Sequence, residues 1–263
     1  MIGCCNGVVC LYNKRSTTDE IVLWNPSIRR KVTLTPPYFN PELTCVYGFG
    51  YCKMSDDYKV VKLAYDGNSL ISRPEVEIYS VKTGIWEGVG FPIDFPCYHI
   101  LGGYSQVFCN GCVHWLGVDF GISRCSILKL DMDTNLFGEI DMPPEYSIHW
   151  SSVGVTLTVV GDCLGVIYSS HPSTMGSSTC KIWAMKEYSW TLIYDVCYSD
   201  ADLGRPLELR DNGDLISESR ECNLNIYNQD GKFYTVGGCC SKGVQFWTIS
   251  VDRYHESLAL LDV

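Results

Sequence analysis

One short pattern recurs along the chain and constrains its fold more than anything else. An apolar run ends in a bulky side chain, a polar turn follows, and a second run opens seven residues on. The copies are IVLWNPSIRRKV with Trp24 and Lys31, VEIYSVKTGIW with Tyr79 and Trp86, ILKLDMDTNLF with Leu130 and Phe137, KIWAMKEYSW with Trp183 and Trp190, and LNIYNQDGKFY with Tyr227 and Tyr234. The later position is aromatic in every copy except the first, where it is Lys31. Asn-Pro-Ser, Lys-Thr-Gly, Asp-Thr-Asn and Asn-Gln-Asp-Gly supply the turns. The runs alternate at period two and are rich in Val, Ile, Tyr and Trp, which excludes a helical repeat.

A second hairpin precedes each copy. CCNGVVCLY turns at Asn6-Gly7, FGYCKMSDDYKVVKL near Ser55-Asp56-Asp57, VFCNGCVHWL at Asn110-Gly111, TVVGDCLGVIY at Gly161-Asp162 and LELRDNGDLIS at Asn212-Gly213. Asn-Gly between apolar runs favours a two-residue hairpin because both residues tolerate positive φ. Each unit therefore reads as four antiparallel strands, a to d. Units of this kind spaced by about fifty residues mark a kelch-like β-propeller. Five units fit before residue 237, and the tail VQFWTISVDRYHESLALLDV adds strands at Val244–Val251 and Ser257–Asp262. The expectation is an all-β, kelch-like β-propeller of about six blades with one incomplete, a single domain over residues 1–263. The missing strands are expected from a segment upstream of Met1. The recurring Trp and Tyr are expected to pack between blades.

The remaining bulk properties exclude classes of function. The chain has 263 residues, 46% of them apolar, and a formal charge of −10. No apolar run is long enough for a membrane-spanning helix, about 20 residues. The acidity opposes nucleic-acid binding, and the clusters Lys14-Arg15 and Arg29-Arg30-Lys31 read as solvated faces. Fifteen cysteines, no N-linked glycosylation sequon and no secretory leader fit reduced thiols in an intracellular, cytoplasmic or nuclear protein.

No catalytic constellation stands out. The chain contains no G-x-S-x-G, H-E-x-x-H or phosphate-binding loop. The Cys109-Asn110-Gly111-Cys112 motif has no second pair to complete a zinc site, and its centre already serves as a turn. His114 reads as a core or rim histidine. No cofactor, metal or catalytic residue is expected.

Binding is expected at one end of the blades. In an a-b-c-d meander the a–b and c–d turns lie at one end, and the b–c and d–a connections at the other. The turns are short and polar. The d–a connections are long and aromatic: TPPYFNPEL holds Tyr38 and Phe39, FPIDFPCYHI holds Phe95, Tyr98 and His99, PPEYSIHW holds Tyr146, His149 and Trp150, and CYSDADLGRP holds Tyr198, Asp200, Asp202 and Arg205. Long loops on a rigid scaffold carry recognition, and Tyr, Trp and Arg dominate interface hot spots. Tyr38, Tyr98, Tyr146 and Trp150 are the expected anchors for a protein target.

CCNGVVCLY, IVLWNPSIRR, YGFGYCKMSDDYKVVKL, VEIYSVKTGIWEGV, FCNGCVHWL, ILKLDMDTNLFGEIDMP, KIWAMKEYSWTLIYDV and RYHESLALLDV, taken in order, resemble the successive motifs of plant F-box-associated domains of type 1. Such domains occur in F-box/kelch-like and S-locus F-box proteins. The resemblance implies a non-catalytic substrate-recognition propeller of a cullin–RING ubiquitin ligase, joined to the ligase adaptor through an N-terminal F-box. No F-box precedes the propeller in this sequence, so the chain reads as a fragment or as a paralogue that lost it. The alternative function is a free-standing interaction propeller without ligase contact. A propeller enzyme is a third class.

Overall fold

Runs rich in β-branched and aromatic residues make every regular element a strand among the described residues, and central strands such as Asp57–Tyr65 and Cys112–Asp119 are buried on both faces. The computed structural model describes residues 1–14, 19–36, 40, 42–69, 73–92, 99–100, 106–119, 124–144, 153–170, 178–198, 205–219, 223–228, 232–238 and 251–259. Blade 1 is β1 (Gly3–Cys5), β2 (Val8–Lys14), β3 (Asp19–Asn25) and β4 (Arg30–Leu34). Blade 2 is β5 (Thr44–Cys52), β6 (Asp57–Tyr65), β7 (Glu75–Ser80) and β8 (Ile85–Val89). Blade 3 is β10 (Val107–Cys109), β11 (Cys112–Asp119), β12 (Arg124–Asp131) and β13 (Phe137–Asp141), with the short β9 (His99–Ile100) also paired to β11. Blade 4 is β14 (Val153–Val160), β15 (Cys163–Ser170), β16 (Ser178–Lys186) and β17 (Ser189–Tyr198). Blade 5 is β18 (Arg205–Leu209), β19 (Leu215–Glu218), β20 (Asn223–Tyr227) and β21 (Phe233–Gly238). Each blade is an antiparallel meander in chain order. Blades 1 to 3 lie in a compact unit of Met1–Met142 with Asp252–Val263, and blades 4 and 5 in a second, Pro143–Val251.

The Asn-Gly signals hold for a physical reason. Asn6 and Gly7 take φ of 46° and 75°, and Asn110 and Gly111 take 51° and 74°, the left-handed pair that a two-residue hairpin needs. The seven-residue offset is also real in blades 1 to 3: Trp24 faces Lys31, Tyr79 faces Trp86 and Leu130 faces Phe137. It breaks in the other two. A two-residue turn at Glu187-Tyr188 and a register shift at Ile182/Trp183 pair Trp183 with Leu192 and Met185 with Trp190. In blade 5 Tyr227 faces Phe233, and Tyr234 faces Ile226. Nor do all the recurring aromatics pack inside. Trp24 is 41% exposed and Tyr234 55%, whereas Tyr79, Leu130, Trp183 and Tyr227 are buried.

In the first unit both faces of blade 2 are covered. Tyr58 and Val60 of β6 join Cys5, Val8, Cys10, Leu23 and Phe49 in one cluster. Val61 and Leu63, pointing the other way, join Val113, Trp115, Leu128 and Leu130 in another. The second seam is unusually close. A Cβ on Gly48 would lie 2.3 Å from Cζ2 of Trp115, and one on Gly50 would lie 2.5 Å from Phe108. The missing side chains let the Trp115 indole reach the β5 backbone, where its Nε1–H donates to the Tyr47 carbonyl at 3.0 Å. Gln106 satisfies the inner edge of β5. Its Oε1 accepts from Phe49 N–H at 3.1 Å and its Nε2 donates to the Phe49 carbonyl at 3.2 Å, as a neighbouring strand would.

The turns of this unit clasp one another. Asp133, in the c–d turn of blade 3, accepts from Met54 N–H at 2.9 Å and from the Cys52 thiol at 3.1 Å in the a–b turn of blade 2. Lys59 returns the grip, donating to the Met132 carbonyl at 2.7 Å and to Asn135 at 3.1 Å. Blade 1 uses its c–d turn on the C-terminal segment instead. Asn25, fully buried, donates Nδ2–H to the carbonyls of Ser257 (3.1 Å) and Ala259 (3.0 Å), while its Oδ1 accepts from Ser27 N–H. Asp252 accepts from Cys4 N–H at 2.6 Å on the inner edge of β1. The tail therefore does not supply the half blade expected of it over its described part. Residues 251–259 form no strand and are held by blade 1 through side-chain and carbonyl contacts, and the described strands make five blades. Most of the expected strand Val244–Val251 lies outside the described residues, as do residues 260–262 of the other.

In the second unit, Ile167, Cys180 and Ile182 of blade 4 pack with Leu209, Leu215 and Tyr227 of blade 5. In the first unit, His114 on β11 is 4% exposed, with Nδ1 3.2 Å from the Val107 carbonyl. Burial pushes its pKa down to about 4, with the nearby Lys129 adding to the depression and the Val107 contact opposing it.

Three outcomes follow. Gly48→Ala forces the new methyl into Trp115 and lowers stability by about 1–3 kcal/mol; an unchanged Tm would refute the close-seam account. Asn25→Ala leaves two tail carbonyls without their donor, costing about 1–3 kcal/mol and speeding proteolysis between residues 252 and 259. The unfolded chain protonates His114 below pH about 6.5, but the folded protein does so only near 4. Stability therefore falls as pH drops across that window, by on the order of 3 kcal/mol from this residue. Denaturant titrations from pH 7 to 4 should show a shallower decline for His114→Gln, and equal slopes would rule out this assignment.

Candidate functional site

Meander topology places the connections at opposite ends of each blade. At one end the turns are as short as 6–7, 110–111, 161–162 and 187–188. At the other, the d–a connections run over 35–43, 90–106, 142–152 and 199–204. This asymmetry is what the sequence reading relied on. Of the residues expected to bind, Tyr38, Phe39, Tyr98, Tyr146, His149 and Trp150 lie outside the described residues, with Phe95, Asp200 and Asp202, and so does the Tyr198 side chain. The Tyr198 backbone ends β17, opposite Ser178.

His99 and Arg205 are described, and each is tied into the scaffold. His99 lies on β9, opposite Val118, on the same edge of β11 that β10 occupies further along. Its Nε2 is 3.2 Å from the Ser69 carbonyl in the b–c connection of blade 2. Tyr65 completes the anchor: its hydroxyl donates to the Ile100 carbonyl at 2.8 Å and its ring meets the His99 ring edge-on at 5.8 Å. Thus the d–a connection leaving blade 2 is pinned to that blade's own b–c connection. Arg205 opens β18 and faces Glu218 at the end of β19, with Nη2 2.8 Å and Nε 3.3 Å from Oε2. Both are at least three-quarters buried, so the pair braces the strand ends. Arg124 at the start of β12 pairs with Glu139, at 3.0 Å, and with Asp141, in a more exposed position.

The sequence reading missed Tyr65 and Arg124. Their signal was positional: each sits where strand b ends or strand c begins, at the mouth of a long connection. The result in each of these blades is a braced root for its long loops. Arg124 and Arg205 pair with carboxylates of their own blades there, which suits recognition by the loops that the strand ends carry.

The turn end of the first unit holds a cleft of about 650 Å³, lined by residues including Asn6, Tyr51, Asp56, Tyr58, Lys82 and Leu258. Its polar groups bind one another. Tyr51 donates to Asp56, Tyr58 to the Asn6 carbonyl at 3.3 Å and Lys82 to the Ser55 carbonyl at 3.0 Å. Asp57 is buried and takes up Ser80 Oγ–H (2.6 Å) and Lys82 N–H (2.9 Å), so the Asp56-Asp57 pair builds a turn. Burial pushes the Cys4 thiol up to about 11, and Cys5 and Cys180 up to about 12, so these sulfurs stay protonated near neutral pH. No group of three or more His, Cys, Asp or Glu among the described residues converges on a metal position.

The comparisons with known proteins agree with this architecture. F-box/kelch-repeat protein At3g23880 of Arabidopsis thaliana is 27% identical over 257 residues, covering 91% of this chain and 65% of that protein. F-box protein CPR1 of the same plant is 28% identical over 225 residues, covering 74% of this chain and 52% of its own length. The chain thus spans between about half and two thirds of these relatives. A crystal structure of a mutant of AofleA from Arthrobotrys oligospora superposes with a TM-score of 0.52 at 11% identity, covering 89% of this chain and 70% of that one, a likeness of fold alone. The fold is an all-β propeller, and the sequence matches the description "F-box associated beta propeller domain" over residues 1–246. By that match, the chain belongs to the F-box-associated β-propeller domain family.

Proposed function

We propose that this chain is the target-recognising propeller of an F-box subunit of a cullin–RING ubiquitin ligase, acting by binding rather than by catalysis. The family match over residues 1–246 carries the reading, together with relatives that are themselves named F-box proteins. The braced loop roots within individual blades support it physically. Tyr65, Arg124 and Arg205 hold the ends of the strands, so the unlike loops between them can vary without cost to the blades.

In this reading the protein target sits on the loops bearing Tyr38, Phe39, Tyr98, His99, Tyr146, His149, Trp150, Tyr198 and Arg205. Contact with the ligase adaptor requires an F-box in the same polypeptide. The working compartment is the cytoplasm or nucleus, where the free thiols of the described cysteines stay reduced. Without an F-box, the same surface would serve a free-standing interaction protein.

Two measurements test the reading. The full-length natural product should pull down the ligase adaptor, and failure would leave only the free-standing role. Simultaneous alanine substitution of Tyr38, Tyr98, Tyr146 and Trp150 should lower affinity for the identified target at least 100-fold while holding Tm within a few degrees. Undiminished binding would show that the recognition face lies elsewhere.

A further inference from the structure

The turn between β3 and β4 carries a feature that packing does not explain. Arg29, Arg30 and Lys31 are all exposed, and among the described residues none has an ion pair or side-chain hydrogen bond. Several other cations of the same unit are engaged: Lys59 with Met132 and Asn135, Lys62 with Glu77, Lys82 with Ser55 and Arg124 with Glu139 and Asp141. Three adjacent cations without a counter-charge among the described residues stand out on a chain of net charge −10.

Their geometry spreads them around the hairpin tip. Arg29 sits in the left-handed region at φ 54°. Lys31 faces Trp24 across the β3–β4 pair and shares its side of the sheet, whereas Arg30 faces Asn25 and takes the opposite side. Trp24 is 41% exposed, a large aromatic surface on the residue paired with Lys31. Tyr254 borders the tip from the tail, its hydroxyl 2.6 Å from Ser27 Oγ, and is 39% exposed.

We propose that this hairpin tip is a docking surface for a short acidic segment of a partner protein, with Asp or Glu carboxylates set against Arg29, Arg30 and Lys31 and an apolar side chain on Trp24. Guanidinium groups suit carboxylates because they offer two parallel donors. The tip faces a short segment because the rest of the chain is acidic. Attraction to the tip is screened beyond a Debye length of about 8 Å at physiological salt, so only carboxylates close to Arg29, Arg30 and Lys31 gain from it. This end of blade 1 is opposite the d–a and b–c loops, so the proposal does not depend on where the target of the preceding section binds.

The test uses a fluorescein-labelled peptide, Glu-Asp-Glu-Leu-Glu-Asp, and the intact chain in an anisotropy titration. A Gln/Asn version of the peptide is the control. The acidic peptide should bind measurably tighter than the control, and more weakly as salt rises. Arg29→Glu, Arg30→Glu and Lys31→Glu together should weaken it at least tenfold, and Trp24→Ala several-fold, with Tm held within a few degrees. Charge reversal at the isolated exposed Lys53 should have little effect. Equal binding of both peptides, or affinity unchanged in the triple variant, overturns the proposal. Tighter binding to phosphatidylserine vesicles than to the peptide, lost in the same triple variant, would also overturn it, in favour of a membrane surface.

Discussion

Burial of both faces of a single four-stranded sheet is the constraint on which the described structure depends. Blade 2 is apolar on each side: Tyr58 and Val60 point to blade 1, Val61 and Leu63 to blade 3. A sheet of this kind has no water-facing side, so it is stable only between two others like it. That requirement explains why one hairpin pattern is copied along the chain. It also explains why the seam residues are unlike those of an ordinary sandwich. Gly48 and Gly50 remove side chains where the Trp115 indole needs the backbone, and Gln106 stands in for a strand at the inner edge of β5.

The motifs that mark the family turn out to be holding devices. Asn25 and Ser27, from the Asn-Pro-Ser turn, bind the Glu-Ser-Leu region of the tail. Asp57, from the Asp-Asp-Tyr-Lys-Val-Val motif, secures its own c–d turn, and Lys59 crosses to blade 3. The residues that look distinctive in the sequence therefore maintain the turn end of the blades. This leaves the opposite end free to vary. There the described contacts, such as Tyr65 with Ile100 and Arg205 with Glu218, secure the roots of long connections.

Aromatic spacing was a reliable guide only where the turn had the same length. In blades 1 to 3 the seven-residue offset is a cross-strand register, because four residues lie between the last facing positions: 26–29, 81–84 and, inside the Asp131–Leu136 hydrogen bond, 132–135. In blade 4 the same spacing arises across a two-residue turn and a bulge, so Trp183 and Trp190 face other partners. Sequence spacing counts residues, whereas pairing depends on how many of them the turn consumes. The tail misled for a related reason. Its alternating apolar residues suggested a strand, but Ser257 and Ala259 give their carbonyls to a buried Asn side chain instead of to a neighbouring strand.

The sequence by itself determined the strands, the turns and the repeat, since period-two patterning and Asn-Gly chemistry act within a few residues of chain. It also carried enough motif content to indicate the family. Only the tertiary structure decided which polar residues are structural and which are left over. Asn25, Asp57, Asp133 and Gln106 are committed to partners far away in sequence, at spacings that no local pattern encodes. The same three-dimensional accounting leaves Arg29, Arg30 and Lys31 exposed and without a partner among the described residues, with Lys31 across from Trp24, because an unpaired charge is recognised only from the positions of its neighbours in space.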